Sequence, residues 1–472
     1  MMEVEIVLSQ TESVCPECFA RIPAQRVALG DQVMLRKTCP EHGPFQVVVW
    51  RGEPSYKSWN RPKIPSHPRV PLTAAARGCP WDCGLCPEHR QQTCCTLIEV
   101  TQRCDLQCPM CYANAGNGFS DDPGLDDIRC RYDALLAAGG PFNIQLSGGE
   151  PTLRNDLPEI IALGLSMGFD FIQINTNGLR LAREPRYAEK LKRAGLSCVF
   201  LQFDGMKDEI YQKLRGRPLC KEKKLAVKHC MENELGVILV PTLVPGVNTH
   251  QLGAIIDFAI QRVPGVRGVH FQPVSYFGRH PGPPEDLNRI TIPEVIRELV
   301  AQTSRQIKTE HFKPSGAENS YCSFHGNFVL MPGGELKPWT RHSPETSCCK
   351  PEPAGEAVLK ARHFQTQFWS CCKEDPSAQK PGSSLGGWDL FLERARTHSF
   401  CISGMAFQDA WNLDLDRLKE CHLHVVHPDG RIIPFCAYNI TDTKGRSFYR
   451  RCSSNLHSCV DRTKPFSDGA GP

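Results

Sequence analysis

Cys104-Asp-Leu-Gln-Cys108-Pro-Met-Cys111-Tyr112 follows directly on Leu97-Ile-Glu-Val-Thr101, an apolar, β-branched run that reads as a strand. The spacing is C-x3-C-x2-C. Three thiolates packed this closely can face one point from a single loop. A [4Fe–4S] cube offers four irons, so three protein thiolates leave one iron open. An open position on a catalytic metal is where a small molecule binds. The plain alternative for Cys104, Cys108 and Cys111 is a zinc knuckle.

The strand before the cysteines opens a βα alternation. Further strands are expected at 142–147, 171–175, 198–203, 237–242 and 266–272. Helix-like windows lie near 125–138, 156–167, 187–194, 221–234 and 250–262. Six βα units in series predict an α/β fold, a partial (β/α)6 TIM-like barrel over 96–310. Active residues of such sheets sit at the carboxyl ends of the strands. Each strand here ends in polar or glycine-rich sequence: the cysteine loop, then Gly148-Gly149-Glu150-Pro151-Thr152, Asn175-Thr-Asn177-Gly178, Asp204-Gly205, Pro245-Gly246-Val-Asn248 and Gln272-Pro273-Val-Ser275. The simple readings of these ends are a capping carboxylate at Glu150, an Asn-Gly turn at Asn177 and solvated loop residues at Asp204 and Gln272.

The chain has 472 residues, 40% of them apolar and 22% charged, which suits a globular protein of about three domains. Its net charge of +4 gives no support to a nucleic-acid surface. No apolar run is long enough for a transmembrane segment. The acidic start lacks a basic leader region, so a cytoplasmic protein is expected. The outlier is cysteine, with 25 copies, which in this setting suggests metal rather than disulfides. Cys130, Cys198, Cys220 and Cys230 lack ligand spacing and read as small buried apolar residues.

Residues 1–55 form a small unit in which Cys15-x2-Cys18 and Cys39-x2-His42 flank a hairpin-like run. Their geometry suits a tetrahedral Cys3His site for zinc or a rubredoxin-like iron. Residues 56–95 hold a proline-rich linker and a second C-x3-C-x2-C, Cys79, Cys83 and Cys86, followed by Cys94-Cys95. This triplet reads as an auxiliary [4Fe–4S] cluster with Cys94 or Cys95 as fourth ligand, or as a zinc site. Residues 311–462 are expected as an α+β unit with hairpins at 328–336 and 425–433 and a loop-rich insertion at 343–387. Cys401, Cys421, Cys436 and, more loosely, Cys322 are its candidate ligands, with buried free cysteines the alternative. Cys348, Cys349, Cys371, Cys372, Cys452 and Cys459 receive no role, and 463–472 reads as a disordered tail.

The cysteine triplet after the first strand, with Gly-Gly-Glu-Pro after the second, resembles the radical S-adenosylmethionine (SAM) superfamily. The resemblance implies that the open iron chelates SAM and that one electron cleaves it to a 5′-deoxyadenosyl radical. It implies SAM contacts at Gly148, Gly149, Glu150 and Pro151, with Glu150 complementing the methionyl ammonium, and weaker ones at Asn177, Asp204 and Gln272. Met110 stands where that superfamily usually has an aromatic residue, and Tyr112 offers an aromatic surface beside it. His427-Pro-Asp-Gly-Arg-Ile-Ile-Pro-Phe-Cys436 resembles the glycine hairpin of auxiliary-cluster domains.

The doubled triplet between Gly78 and Gly116, the opening CPxC…CPEHG and the region from Gly404 to Cys436 together resemble the tetraether lipid synthase family, also known as dihydropterin methyltransferases, and its bacterial relatives. This implies one or two auxiliary [4Fe–4S] clusters, a reductant such as flavodoxin or ferredoxin, and hydrogen abstraction from an unactivated C–H bond of a lipid or small molecule, ending in methylation or C–C bond formation. Only a cofactor can supply so reactive a radical. The competing readings are a maturase of a peptide or protein partner and a non-enzymatic metal or electron-transfer module.

Overall fold

The computed structural model describes residues 5–116, 121–303, 307–342, 351–370 and 387–450. The N-terminal unit is an antiparallel sheet of β1 (Glu5–Val14), β2 (Arg21–Leu29), β3 (Gln32–Cys39) and β4 (Gly43–Arg51), in that order. It docks on the rest of the chain through buried polar contacts. The Lys37 ammonium donates to Ser13 Oγ, to the Val14 carbonyl and to the Ala410 carbonyl at 2.9, 2.8 and 2.7 Å. Three acceptors match its three protons. Arg26 grips Asp414 with two nitrogens, at 2.7 and 2.8 Å.

The predicted βα series is present strand for strand. β5 (Cys95–Thr101), β6 (Asn143–Gly148), β7 (Ile172–Thr176), β8 (Cys198–Gln202), β9 (Gly236–Val240) and β10 (Val266–Pro273) lie side by side, every neighbouring pair parallel. Between and after them come α1 (Leu125–Ala137), α2 (Leu157–Ser166), α3 (Pro185–Arg193), α4 (Asp208–Arg215), α5 (Cys220–Glu232), α6 (Leu252–Ile260) and α7 (Ile292–Gln302). Thr291 caps α7, its amide and hydroxyl both donating to Glu294 at 2.8 Å.

Strand residues alternate between two faces. Ile98, Val100, Ile144, Leu146, Ile174 and Leu201 are buried in one apolar core with helix residues such as Ile128, Leu157 and Val227. Their neighbours in sequence, among them Glu99, Gln145, Ser147, Gln173, Asn175 and Gln202, therefore face the other side, which carries these polar groups alongside an apolar patch of Phe200, Ile238 and Val240.

The C-terminal segment was expected as a unit with its own hairpins. Both hairpins form, β11 (Ser323–Leu330) with β12 (Leu336–Pro338) and β14 (Leu423–Val426) with β15 (Ile432–Pro434). Both extend the central sheet, however, at opposite edges. β13 (Ser399–Met405) lies parallel to β10, β14 lies parallel to β5, and the order is β12-β11-β13-β10-β9-β8-β7-β6-β5-β14-β15. Backbone groups at the edges of a six-stranded sheet need partners, and the C-terminal strands supply them.

Within the stretch expected to be loop-rich, Ala354–Phe368 is a helix, α8. Its Phe364 and Phe368, with Trp369, pack on Cys198, Phe200, Ile238 and Val240. The spacing of Val358, Ala361, Phe364 and Phe368 is helical; the Pro, Ser and Gly that suggested a loop lie in the flanks. Cys348, Cys349, Cys371, Cys372, Cys452, Cys459 and the tail 463–472 lie outside the described residues. Cys198, Cys220 and Cys230 are buried, whereas Cys130 is half-buried.

Candidate active site and metal centres

Cys104, Cys108 and Cys111 stand in the loop that leaves β5 and gather around Leu106, Leu179, Tyr211 and Leu219. A strap at 278–279 fixes the loop from behind. The Cys111 and Arg279 amides each donate to the other's carbonyl at 2.9 and 3.0 Å, and Arg279 Nε donates to the Cys108 carbonyl at 2.8 Å. Burial pushes the Cys104 thiol up to about 12, and the charges of Glu150 and Cys108 add to the shift. As free groups such thiols are protonated; metal binding would remove the protons.

The glycines of Gly148-Gly149-Glu150 have a reason within the protein. Gly148 has φ +129°, and a Cβ there would stand 2.1 Å from the Thr101 carbonyl oxygen. A Cβ on Gly149 would stand 2.1 Å from the Arg103 carbonyl oxygen. Without side chains, the Gly149 and Glu150 amides donate to those same carbonyls at 2.8 Å, so the segment is stitched along the base of the cysteine loop.

Glu150 is buried, and its carboxylate accepts four hydrogen bonds. Oε1 takes the Thr152 amide (3.0 Å) and the Thr152 and Thr176 hydroxyls (both 2.6 Å), and Oε2 takes the Asn177 amide (2.7 Å). Four donors fill the positions a carboxylate offers. Burial raises its pKa, and these bonds oppose the shift. Glu150 thus caps the short turn Pro151–Leu153 and joins β6 to β7.

Asn177, also buried, donates from Nδ2 to Asp105 inside the cysteine loop. Asp204 is not a solvated loop residue. It is fully buried and meets Arg215 through two bonds of 2.8 Å. Arg215 also faces the Cys108 thiol. Lys223, fully buried, donates to the Asn177 carbonyl and to Gln202 Oε1. Arg215 and Lys223 were not among the predicted residues. Each lies on a helix eleven or more positions beyond the strand end it serves, where no local motif marks it.

The polar face of the sheet continues inward from this rim. Asn175 Nδ2 donates to Gln145 Oε1 at 3.1 Å, and Gln173 Nε2 donates to Asn175 Oδ1 at 3.2 Å. Gln173 Oε1 is buried with no partner. His270 Nδ1 and Ser403 Oγ lie 2.9 Å apart. Gln272 is half-buried at the end of β10. Met110, Tyr112, Met405 and Phe407 pack with Phe435, Tyr112 and Phe407 having ring centroids 5.6 and 4.5 Å from it. The Tyr112 hydroxyl is 2.8 Å from Ser147 Oγ.

In the N-terminal unit, Cys15, Cys18, Cys39 and His42 place one ligand atom each within 4.8 Å of all the others. Cys18 and Cys39 sulfurs are 3.9 Å apart, and His42 Nδ1 is 3.5 Å from Cys39 Sγ and 3.7 Å from Cys15 Sγ. Ligands about 2.3 Å from one tetrahedral ion stand about 3.8 Å apart, so these residues fit a single metal ion. The His42 ring lowers the Cys39 thiol to about 6, against the effect of burial. The other cysteine groups do not meet this close spacing among the described residues. A cube, which puts each thiolate on a different iron, spreads its ligands wider.

Cys79, Cys83 and Cys86 are buried together, Cys83 held through its amide by the Tyr449 hydroxyl at 3.1 Å. Cys94 is not brought to them; it packs with Ala317 and Val358. Cys95, the first residue of β5, is buried in the same apolar cluster as Cys79 and Cys83. Nor does Cys401 join Cys421 and Cys436. It is fixed in β13, paired with Gly268 and Asn327. Cys322 takes its place: Cys322, Cys421 and Cys436 line one chamber with Glu318, Arg417 and His422. A strand position is set by register, which the spacing of cysteines along the chain does not reveal.

Residues 98–259 match the radical SAM superfamily, and residues 7–51 match the HMPTM N-terminal zinc ribbon domain. The 7,8-dihydro-6-hydroxymethylpterin dimethyltransferase of Methanocaldococcus jannaschii is 36% identical over 471 residues, which span 91% of this chain and 93% of that protein. The Fe-coproporphyrin III synthase of Methanosarcina barkeri is 35% identical over 183 residues, 38% of this chain and 44% of that one. Among solved structures, methylornithine synthase aligns with 17% identity and a TM-score of 0.35, over 45% of this chain and 64% of its own.

Proposed function

Since the chain belongs to the radical SAM superfamily, within the family of the 7,8-dihydro-6-hydroxymethylpterin dimethyltransferase, we propose that it alkylates an unactivated C–H carbon of a substrate held on the polar face of its sheet. This family membership sets aside a non-enzymatic metal or electron-transfer module, and it does not favour a peptide maturase. No helix among the described residues is long and apolar enough to cross a membrane.

In this reading Cys104, Cys108 and Cys111 hold a [4Fe–4S] cluster and its bound SAM, which together supply a 5′-deoxyadenosyl radical. The residues around them fit that group: buried thiols, a loop pinned by Arg279 and Asn177, and the Arg215 cation beside Cys108. Glu150, with its acceptors filled, positions the rim and does not itself receive the ligand. Cys15, Cys18, Cys39 and His42 would hold zinc or iron. Cys79, Cys83 and Cys86 form one candidate auxiliary cluster, and Cys322, Cys421 and Cys436 a second.

The observation that carries the substrate reading is the amide ladder Gln145–Asn175–Gln173, with the free Gln173 Oε1, on a sheet whose Ser147 meets Tyr112 of the aromatic cluster. A flat, hydrogen-bonding ring such as a dihydropterin meets amides at its edge and apolar side chains on its faces. The contiguous apolar wall of Met110, Tyr112, Met405, Phe407 and Phe435 favours a second reading, a lipid chain laid along it. The enzyme, reconstituted anaerobically with iron and sulfide, should release 5′-deoxyadenosine on addition of SAM and dithionite. A dihydropterin should raise that release and acquire added carbon by mass spectrometry. Stimulation by a lipid extract alone would select the second reading. Loaded clusters with no 5′-deoxyadenosine under any condition would refute both.

A further inference from the structure

Arg417 stands in the wall of the chamber formed by Cys322, Cys421 and Cys436. It comes from the short helix Leu415–Lys419 and is 7% exposed. Its Nη2 lies 3.5 Å from Cys322 Sγ and donates to the Ala406 carbonyl at 3.2 Å. Its Nε is buried with no hydrogen-bond partner. Among the described residues it forms no ion pair. The nearest acidic side chains are engaged elsewhere, Asp414 with Arg26 at 2.7 Å and Glu318 with His422 at 2.8 Å.

A guanidinium cannot shed its charge in a protein. Buried without a counter-charge, it is strongly unfavourable. Glu318, the carboxylate that lines the chamber, is paired with His422, so Arg417 has no carboxylate partner there. Metal-bound thiolates are anionic and would complete the pair.

We propose that Arg417 is the counter-ion of the auxiliary iron–sulfur cluster held by Cys322, Cys421 and Cys436, and that it sets that cluster's reduction potential. The proposal rests on the reading of this chamber as a cluster site. Reduction adds one electron and hence one negative charge to the cluster. A fixed positive charge, donating to a ligand sulfur, stabilises the reduced form and raises the potential. Arg417 acts through Cys322 and is a positioning residue, not a catalytic one.

The test uses the full chain with Cys104→Ala, Cys108→Ala and Cys111→Ala, which removes the SAM cluster, after anaerobic loading with iron and sulfide. Electron paramagnetic resonance is followed during a redox titration, and the signal of this chamber is the one that Cys436→Ala abolishes. Arg417→Gln should lower its midpoint so that the reduced-to-oxidised ratio at a fixed potential falls at least tenfold, about 59 mV for one electron. Arg417→Lys keeps the charge and loses the planar contact, so it should shift in the same direction by less. An unchanged midpoint in Arg417→Gln overturns the role of Arg417 and leaves the cluster site standing. If Arg417→Gln does not fold, a wild-type midpoint in Arg417→Met, which also removes the charge, overturns it equally. Absence of any Cys436-dependent signal overturns the cluster site and the proposal with it.

Discussion

Asn177 Nδ2 donates to Asp105 Oδ1 at 2.7 Å, tying the end of β7 to the middle of the cysteine loop. Asn177 is also held at its amide by Glu150 and at its carbonyl by Lys223. The loop that carries the three cysteines is thereby referred to two parallel strands and one helix. A loop bearing a catalytic constellation gains its precision from such supports.

Asn177→Ala should therefore slow SAM cleavage without emptying the site. A hydrogen bond to a charged group contributes about 1.5–3 kcal/mol, so 5′-deoxyadenosine formation should fall roughly ten- to hundredfold. Asp105→Ala should do the same. If the two act through their mutual bond, the double variant should be little worse than either single one. Strictly additive losses, measured as rates of 5′-deoxyadenosine release, would show that the two residues act separately.

Gly149→Ala tests the stitching of β6 to the cysteine loop. Its new methyl would meet the Arg103 carbonyl at 2.1 Å, a backbone atom that cannot rotate away. The Thr101 and Arg103 bonds to Gly149 and Glu150 should open, and the loop should lose its shape. Iron bound at the Cys104 triplet should drop severalfold while the far-ultraviolet circular dichroism stays native. Full iron loading with unchanged SAM cleavage would show that the close approach is dispensable.

The order of elements was legible because each parallel strand is a short apolar run ending in a polar turn. The cysteine triplet after β5 was legible because its ligands are neighbours in sequence. The supports were not. Arg215 reaches Asp204 from the end of α4, and Lys223 reaches Asn177 from α5; neither contact leaves a local pattern. The auxiliary ligands failed for a related reason. Cys401 and Cys421 look equivalent along the chain, yet register buries Cys401 between two strands and sends Cys421 to the chamber with Cys322. The C-terminal hairpins were visible, but which sheet they join depends on the edges left at β10 and β5, far from the hairpins along the chain.

Asp429 gives a pH dependence with a defined sign. It accepts from the His427 ring at 2.7 Å and from Arg431 at 2.8 Å across the turn joining β14 and β15. Burial works to raise its pKa, but His427 and Arg431 outweigh it and bring the carboxyl down to about 2, from 3.8. A carboxylate with a depressed folded pKa contributes stability that is complete above the unfolded value and is lost as pH falls through the folded one. The loss should run from about pH 4 to pH 2. Since the carboxylate is a quarter exposed, its share after solvent screening is on the order of 1 kcal/mol. Asp429→Asn should be less stable than wild type at pH 6, and the gap should close toward pH 2. Thermal unfolding of the two proteins at matched pH measures it; a gap that persists at pH 2 would mean that Asp429 contributes through packing instead.

The N-terminal unit makes the simplest metal prediction. Its four ligand atoms already stand at single-ion distances, so one ion per chain should remain after the proposed cluster triplets are removed by Cys→Ala exchange. Cys39→Ser removes the ligand whose thiolate is most favoured and should release that ion. The consequence should reach beyond the knuckle. β3 ends at Cys39, and Lys37, two residues earlier on the same strand, donates to the Ala410 carbonyl at 2.7 Å. Loss of the ion should loosen the dock between the N-terminal unit and the 405–415 segment, read as faster amide exchange at Ser13, Val14 and Leu413. Metal analysis that finds no ion in the wild type, or unchanged exchange in a metal-free Cys39→Ser chain, would break the link between the knuckle and its dock.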